Sequence, residues 1–126
     1  MRVNGLYAVL LHCSKNMQSK AGEKLVNLLE SYKTNGLVQN IGVSIYDPRE
    51  LEIMNQVMSL DLVQAPLNLI DRRLESSGWI ERLNDNGVEI HTRSSFLQGL
   101  LLLPRSRIPK KFNRWSNIWN AWHDNL

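Results

Sequence analysis

Short apolar runs alternate with helical stripes along this chain. Leu6-Tyr7-Ala8-Val9-Leu10-Leu11 is apolar at nearly every position, which suits a strand buried on both faces of a parallel sheet. Between Lys20 and Lys33, Leu25, Leu28, Leu29 and Tyr32 recur at i, i+3, i+4 and i+7, the spacing of an amphipathic helix. Asn35-Gly36 follows, and glycine there can take the left-handed conformation that closes a helix.

The pattern then repeats. Ile41 to Ile45 reads as a second strand. Asp47-Pro48-Arg49-Glu50 predicts a helix start, with an acceptor at the cap, proline at the first helical position and glutamate three residues after the cap. Leu51, Met54 and Met58 stripe that helix. Leu60 to Gln64 makes a third strand, followed by a loop through Pro66 and Asn68. Asp71 to Asn84 is a helical stretch broken by Gly78, and Asp85-Asn86-Gly87 ends it. Val88 to Thr92 makes a fourth strand. A loop through Leu100 and Pro104 leads to a last helix near Lys111, with Trp115, Ile118, Trp119 and Trp122 on one face. No linker or low-complexity stretch divides residues 1–126, so they read as a single unit.

Four strand–helix alternations predict an α/β fold with parallel strands and right-handed crossovers. Either an open doubly wound sheet or part of a (β/α)8 barrel fits. A full barrel takes about 200 residues or more, so 126 residues supply about half of one. Pattern alone favours the open sheet on economy.

Composition changes this picture little. Hydrophobic residues make up 43% and charged residues 21%, which excludes a disordered or fibrous chain. The net charge of +3 permits an anionic ligand without requiring one. One cysteine, Cys13, excludes an internal disulfide and suits a reducing, cytoplasmic setting. Met1-Arg2-Val3-Asn4-Gly5 lacks the make-up of a secretory signal, and no apolar run approaches the roughly 18 residues of a membrane span. Glycine-rich dinucleotide fingerprints are absent, since Gly42 stands alone. His12, His91 and His123 are scattered, without metal-ligand spacing. The basic run Arg105, Arg107, Lys110, Lys111 and Arg114 beside Trp115 reads as a solvated loop rather than a nucleic-acid surface.

Particular residues tip the choice of architecture. Leu10-Leu11-His12 ends one strand, Ile41-Gly42-Val43-Ser44 the next, and Leu62-Val63-Gln64 with Asn68 the third. Arg93-Ser94-Ser95-Phe96-Leu97-Gln98-Gly99-Leu100-Leu101 follows the fourth. This succession resembles the aldo/keto reductase family from about Leu6 to the tryptophan-rich helix. The resemblance implies a (β/α)8 barrel, of which these would be the fourth to seventh strands. It also implies that an aspartate, a proton-donating tyrosine and a lysine on earlier strands are missing here. So are the eighth strand and the helix after it, which contact the adenosine 2′-phosphate.

By that resemblance His12 polarises the substrate carbonyl, placing an N–H donor where hydride transfer builds negative charge. The plain alternative is a histidine bonded at a strand end. Cys13, adjacent on an extended strand, points to the opposite face and reads as structural rather than as a nucleophile. Ser44 and Gln64 take the carboxamide of a nicotinamide cofactor, NADP or NAD. Ile45 stands where the family usually has asparagine, which removes one carboxamide contact. Ser94, Phe96, Gln98 and Gly99 match the loop that approaches the cofactor pyrophosphate, and Asn68 shapes the substrate pocket. Arg72 reads as a surface or ion-paired residue.

Two functions from different classes follow. One is part of an NAD(P)H-dependent reductase acting on an aldehyde, ketone or sugar carbonyl, inactive as this chain alone. The other is a non-catalytic barrel remnant that binds a protein partner. Neither nucleic acid nor a membrane is an expected partner, but self-association is, because the outer strands would leave open parallel edges.

Overall fold

The computed structural model describes residues 4–12 and 17–125. The expectations attached to residues 1–3 and to Cys13 lie outside the described residues. Strands and helices alternate as β1 (Leu6–Leu11), α1 (Lys20–Thr34), β2 (Val38–Ser44), α2 (Glu50–Val57), β3 (Leu62–Pro66), α3 (Arg73–Ser76), α4 (Trp79–Asp85) and β4 (Glu89–Arg93). Three 3-10 segments follow, at Leu97–Leu102, Arg105–Arg107 and Lys110–Trp115, and then α5 (Ser116–Asp124). The last α-helix therefore begins five residues later than its tryptophan spacing suggests, because its first turns are wound tighter.

Local chemistry sets most of these boundaries. Ser19 caps α1 by accepting from the Gly22 N–H at 3.2 Å. At the far end the Gly36 N–H reaches the Lys33 carbonyl and the Leu37 N–H reaches Tyr32, both at 3.0 Å. With Gly36 at φ +71° this is a Schellman motif. Asn86-Gly87 repeats it after α4, through Gly87 to Asn84 and Val88 to Leu83. Ahead of α2, Glu50 accepts from the Asp47 N–H at 2.9 Å while Asp47 accepts from the Arg49 N–H at 3.0 Å. That reciprocal cap is the one the sequence predicts. Gly78, at φ +73°, separates α3 from α4.

The four strands form one parallel sheet in the order β1-β2-β3-β4. That order decides between the two architectures. A doubly wound sheet reverses direction at a switch point, whereas a barrel adds each strand beside the last. Leu10 pairs with Gly42, Gly42 with Leu62 and Leu62 with Glu89. The line of pairing thus starts near the end of β1 and finishes at the first residue of β4, the stagger that a closing barrel requires. Three strand spacings would set β1 and β4 about 14 Å apart in a flat sheet. The Tyr7 hydroxyl nevertheless donates to the Glu89 carboxylate, so the sheet curls and brings its two outer strands within side-chain reach.

Burial follows the curvature. Ile41, Val43, Ile45, Val63 and Ala65 face the helices, where Leu51, Met54, Leu74, Trp79 and Leu83 complete the core. By strand alternation Leu10, Gly42, Ser44, Leu62, Gln64, Glu89, His91 and Arg93 line the concave face. Two expectations change here. On α1 the buried line is Gly22, Val26 and Leu29, whereas Leu25, Leu28 and Tyr32 are exposed. β1 was expected to be buried on both faces, yet Leu6 and Tyr7 are about half exposed. Both have one cause: β1 is an edge of the sheet among the described residues, and no element covers that flank.

At the N-terminal ends of the strands Asp61 ties four elements together. Its carboxylate takes the Lys33 ammonium from α1 at 2.6 Å and the Ile41 N–H from β2 at 2.9 Å. Its backbone N–H donates to the Ile41 carbonyl, and its carbonyl accepts from the Glu89 N–H.

Candidate functional site at the C-terminal ends of the strands

Opposite the Asp61 end, the register brings the sequence-predicted residues into one row. Ser44 pairs with Gln64 and Gln64 with His91. His12, one residue beyond the Leu11–Val43 pair, comes level with Ser44. Ser44 is buried, and its hydroxyl donates to Gln64 Oε1 at 2.9 Å. That bond leaves the serine oxygen as an acceptor and the Gln64 amide N–H groups as donors, unbonded among the described residues. A primary carboxamide, which donates through nitrogen and accepts through oxygen, matches this pair. Ile45 is fully buried with the helix-side core and presents nothing to the row.

His12 is exposed. Its imidazole stacks on the Tyr46 ring, with centroids 5.3 Å apart at 29°. The Tyr46 hydroxyl stands 3.5 Å from His12 Nε2, too long for a strong hydrogen bond. Stacking therefore does more than hydrogen bonding to orient the imidazole. The Arg93 guanidinium lies over the same Tyr46 ring, 4.2 Å from its centroid, and Arg93 Nη2 donates to the Ile45 carbonyl at 2.8 Å. Tyr46 and Arg93 were not singled out from sequence. The available signal was an aromatic and a cation placed where apolar strands end.

Asn68 sits in the turn after β3. Its Oδ1 accepts from the Ile70 and Asp71 N–H groups, each at 2.9 Å, so the side chain shapes that loop and retains its amide N–H for other contacts. Arg72 pairs with Glu75, as its surface reading expects. After β4 the backbone coils: Ser94, Leu97, Gln98 and Gly99 have φ of 57°, 49°, 55° and 88°. Ser94 and Phe96 are exposed. A side chain at Gly99 would meet nothing within 4 Å, so the glycine answers to the backbone angle rather than to crowding.

Charges around the mouth are mostly matched. Hydrogen bonds from Arg49 hold the Asp47 carboxyl well below the usual carboxylate range, and Arg73 does the same for Asp71. Bonds from Tyr7 and His91 lower Glu89, while its bond to Glu89 raises Tyr7. His91 Nε2 lies 2.7 Å from Glu89. The described residues contain no cluster of three or more metal-ligating side chains.

Four staggered parallel strands in sequential order, with polar groups gathered at their C-terminal ends, define part of a (β/α)8 barrel enzyme fold. The chain belongs to the aldo/keto reductase family, whose family model matches residues 1–123. Solved structures agree on the fold. Glycerol dehydrogenase from Gluconobacter oxydans superposes with a TM-score of 0.68 and 20% identity, covering 97% of this chain and 40% of that one. An aldo-keto reductase from Bacillus halodurans gives 0.64 and 22%, covering 84% and 33%. An aldo/keto reductase from Klebsiella pneumoniae, solved in complex with NADP and acetate, gives 0.64 and 16%, covering 97% and 41%. The chain thus spans about a third to two fifths of the length of these structures. No curated protein matches it.

Proposed function

We propose that this chain carries the carbonyl-polarising and nicotinamide-holding part of an NAD(P)H-dependent reductase for an aldehyde, ketone or sugar carbonyl. The observation that carries this reading is the row of His12, Ser44 and Gln64 at one level of the sheet, with its donor and acceptor pattern matched to a carboxamide. When bound, a nicotinamide cofactor supplies the hydride. The chain's own part is to hold and orient. Ser44 and Gln64 fix the carboxamide, and with it which face of the ring points at the substrate. His12 offers an N–H to the carbonyl oxygen, where charge builds as the carbonyl is reduced. Ser94, Phe96 and Gly99 border the path of the pyrophosphate, and Asn68 the substrate side. By this reading the proton donor comes from outside these strands, and the chain alone does not turn over.

Titration of the 126-residue chain with NADP+, followed by amide NMR, tests the assignment. Weak binding is expected, with shifts at Ser44 and Gln64. Gln64→Leu should weaken it about tenfold, the loss of one or two well-placed hydrogen bonds. Binding that ignores Gln64→Leu, or shifts confined to other residues, would overturn the carboxamide site.

A second reading has its own support. Leu6, Tyr7, Leu25, Leu28 and Tyr32 leave apolar surface beside the open β1 edge, which suits a barrel remnant that binds protein or pairs with itself. Size-exclusion chromatography with light scattering is expected to show concentration-dependent association. A monomer with a cooperative melt across that range would count against it. No helix among the described residues is long and apolar enough to cross a membrane, and a cytoplasmic setting forms part of the reductase proposal.

A further inference from the structure

His12 can serve a carbonyl only if its imidazole points at a fixed spot. Among the described residues, the ring and hydrogen-bonding contacts of its side chain are all with Tyr46. Tyr46 is itself 57% exposed, so packing alone does not hold its ring in place. The Arg93 guanidinium lies over that ring and is anchored at the strand end through the Ile45 carbonyl. Tyr46, however, lies past the end of β2, in the loop to α2, and that loop needs an anchor of its own.

Arg73 supplies it. This one guanidinium makes four hydrogen bonds to three residues. Nη2 donates to the Tyr46 carbonyl and Nη1 to the Asp47 carboxylate, both at 3.1 Å. Nε and Nη2 hold the Asp71 carboxylate side-on, at 2.9 and 2.8 Å, a two-point grip that a planar guanidinium makes and an ammonium cannot. Asp71 is fixed in turn, since its N–H donates to Asn68 Oδ1 and its carbonyl accepts from the Asn68 N–H. Arg73 therefore ties the loop after β2, which carries Tyr46, to the loop after β3, which carries Asn68. Without this cation the loops would repel, because Asp47 bears on Asp71 as a like charge. With Arg73 about half exposed and both acids about a quarter exposed, the network adds little to stability. Its effect is on position. Arg49 meets the same Asp47 by two side-chain bonds, but those stay within its own turn.

We propose that Arg73 is a positioning residue of this site, clamping the Tyr46 backbone to Asp71 so that the Tyr46 ring holds the His12 imidazole in one orientation. The inference rests on the reductase reading for what the imidazole then does, but not for the clamp.

The test uses the 126-residue chain, read by NMR at the His12 ring protons, which a stacked Tyr46 ring shifts upfield. Tyr46→Leu removes that ring and gives the unstacked reference. Arg73→Gln is expected to move the His12 signals most of the way to that reference, at temperatures where the variant is folded. Arg73→Lys should recover part of the shift, because an ammonium attracts both carboxylates as a point charge but lacks the side-on grip. Arg49→Gln should leave the His12 signals in place. A role in stability alone would lower the melting temperature without moving those signals in the folded chain. The clamp is overturned if Arg73→Gln keeps the parent's shift. It is also overturned if Arg49→Gln moves the signals equally, because charge beside Asp47 would then be the cause. If Arg73→Gln does not fold, Asp71→Asn decides, since it strips the grip and keeps the cation. It should move His12 part of the way, and no movement would overturn the clamp. Butanone, a neutral ketone, separates the two readings. It is expected to perturb His12 in the parent and to bind about threefold more weakly to Arg73→Gln, as a misaligned donor loses part of its hydrogen bond. Should butanone leave His12 untouched in the parent while Arg73→Gln still moves the ring, the carbonyl-polarising role falls and the clamp stands.

Discussion

Gly42→Ala is expected to be the most damaging single substitution in the sheet. A methyl group there would stand 1.7 Å from the Leu62 carbonyl oxygen and 2.7 Å from its carbon. Both atoms are backbone, so no side chain can rotate away, and β3 would have to leave β2. Overpacking of this kind costs about 3 kcal/mol or more, enough to lower the melting temperature by about 10 °C or to unfold the chain outright. The consequence reaches the site. Gly42 pairs with Leu62 two residues before Ser44 pairs with Gln64, so displacing the strands breaks the Ser44–Gln64 bond as well. Loss of NADP+ binding should accompany loss of stability, measured by thermal denaturation and the same NMR titration. A variant that melts as the parent does would show that the strands tolerate the gap.

Asp61→Ala should lower stability while sparing the site. The Ile41 N–H, in a residue 1% exposed, would lose the carboxylate it donates to at 2.9 Å, and a buried donor left unbonded costs about 1–3 kcal/mol. The Lys33 pair adds less, because both partners are partly exposed, and such pairs contribute about 0–1 kcal/mol. A total near 2–3 kcal/mol follows, read by urea denaturation. At temperatures where the variant is folded, NADP+ should bind as it does to the parent, because Asp61 lies at the opposite end of the strands from Ser44 and Gln64. Weakened binding in a fully folded variant would mean that the two ends are coupled more tightly than the geometry indicates.

The two substitutions act on opposite ends of the same strands, and that division bears on what could be read in advance. The cap at Asp47 to Glu50 and the glycine closures at Gly36 and Gly87 appear in the structure with the hydrogen bonds their residues imply. These are interactions within a few residues, so the sequence states them directly. The strands could be placed to within two or three residues, because apolar runs mark buried backbone. The stripe on α1 was legible as apolar but not in its orientation. Val26 and Leu29 face the sheet, and Leu25, Leu28 and Tyr32 do not, since the choice depends on which neighbours exist rather than on spacing.

The candidate site divides in the same way. His12, Ser44 and Gln64 were legible in advance as polar groups at apolar strand ends, and Ser94 through the family resemblance; the register brings the first three level. Tyr46, Arg93 and the Tyr7–Glu89–His91 chain were not, because their partners lie between 34 and 82 residues away or, for Glu89 and His91, mean something only inside the hollow.

By itself, then, the sequence determined the alternation of strand and helix, the points where helices begin and end, and the polar residues at strand ends. All of these depend on interactions along a short stretch of chain. The family resemblance already implied the barrel order of the strands; only the tertiary structure decided that Arg93 comes over Tyr46 beside His12 and that Gly42 has no room for a side chain. Those outcomes depend on strand register, and register is fixed by backbone pairing between segments that local sequence does not join.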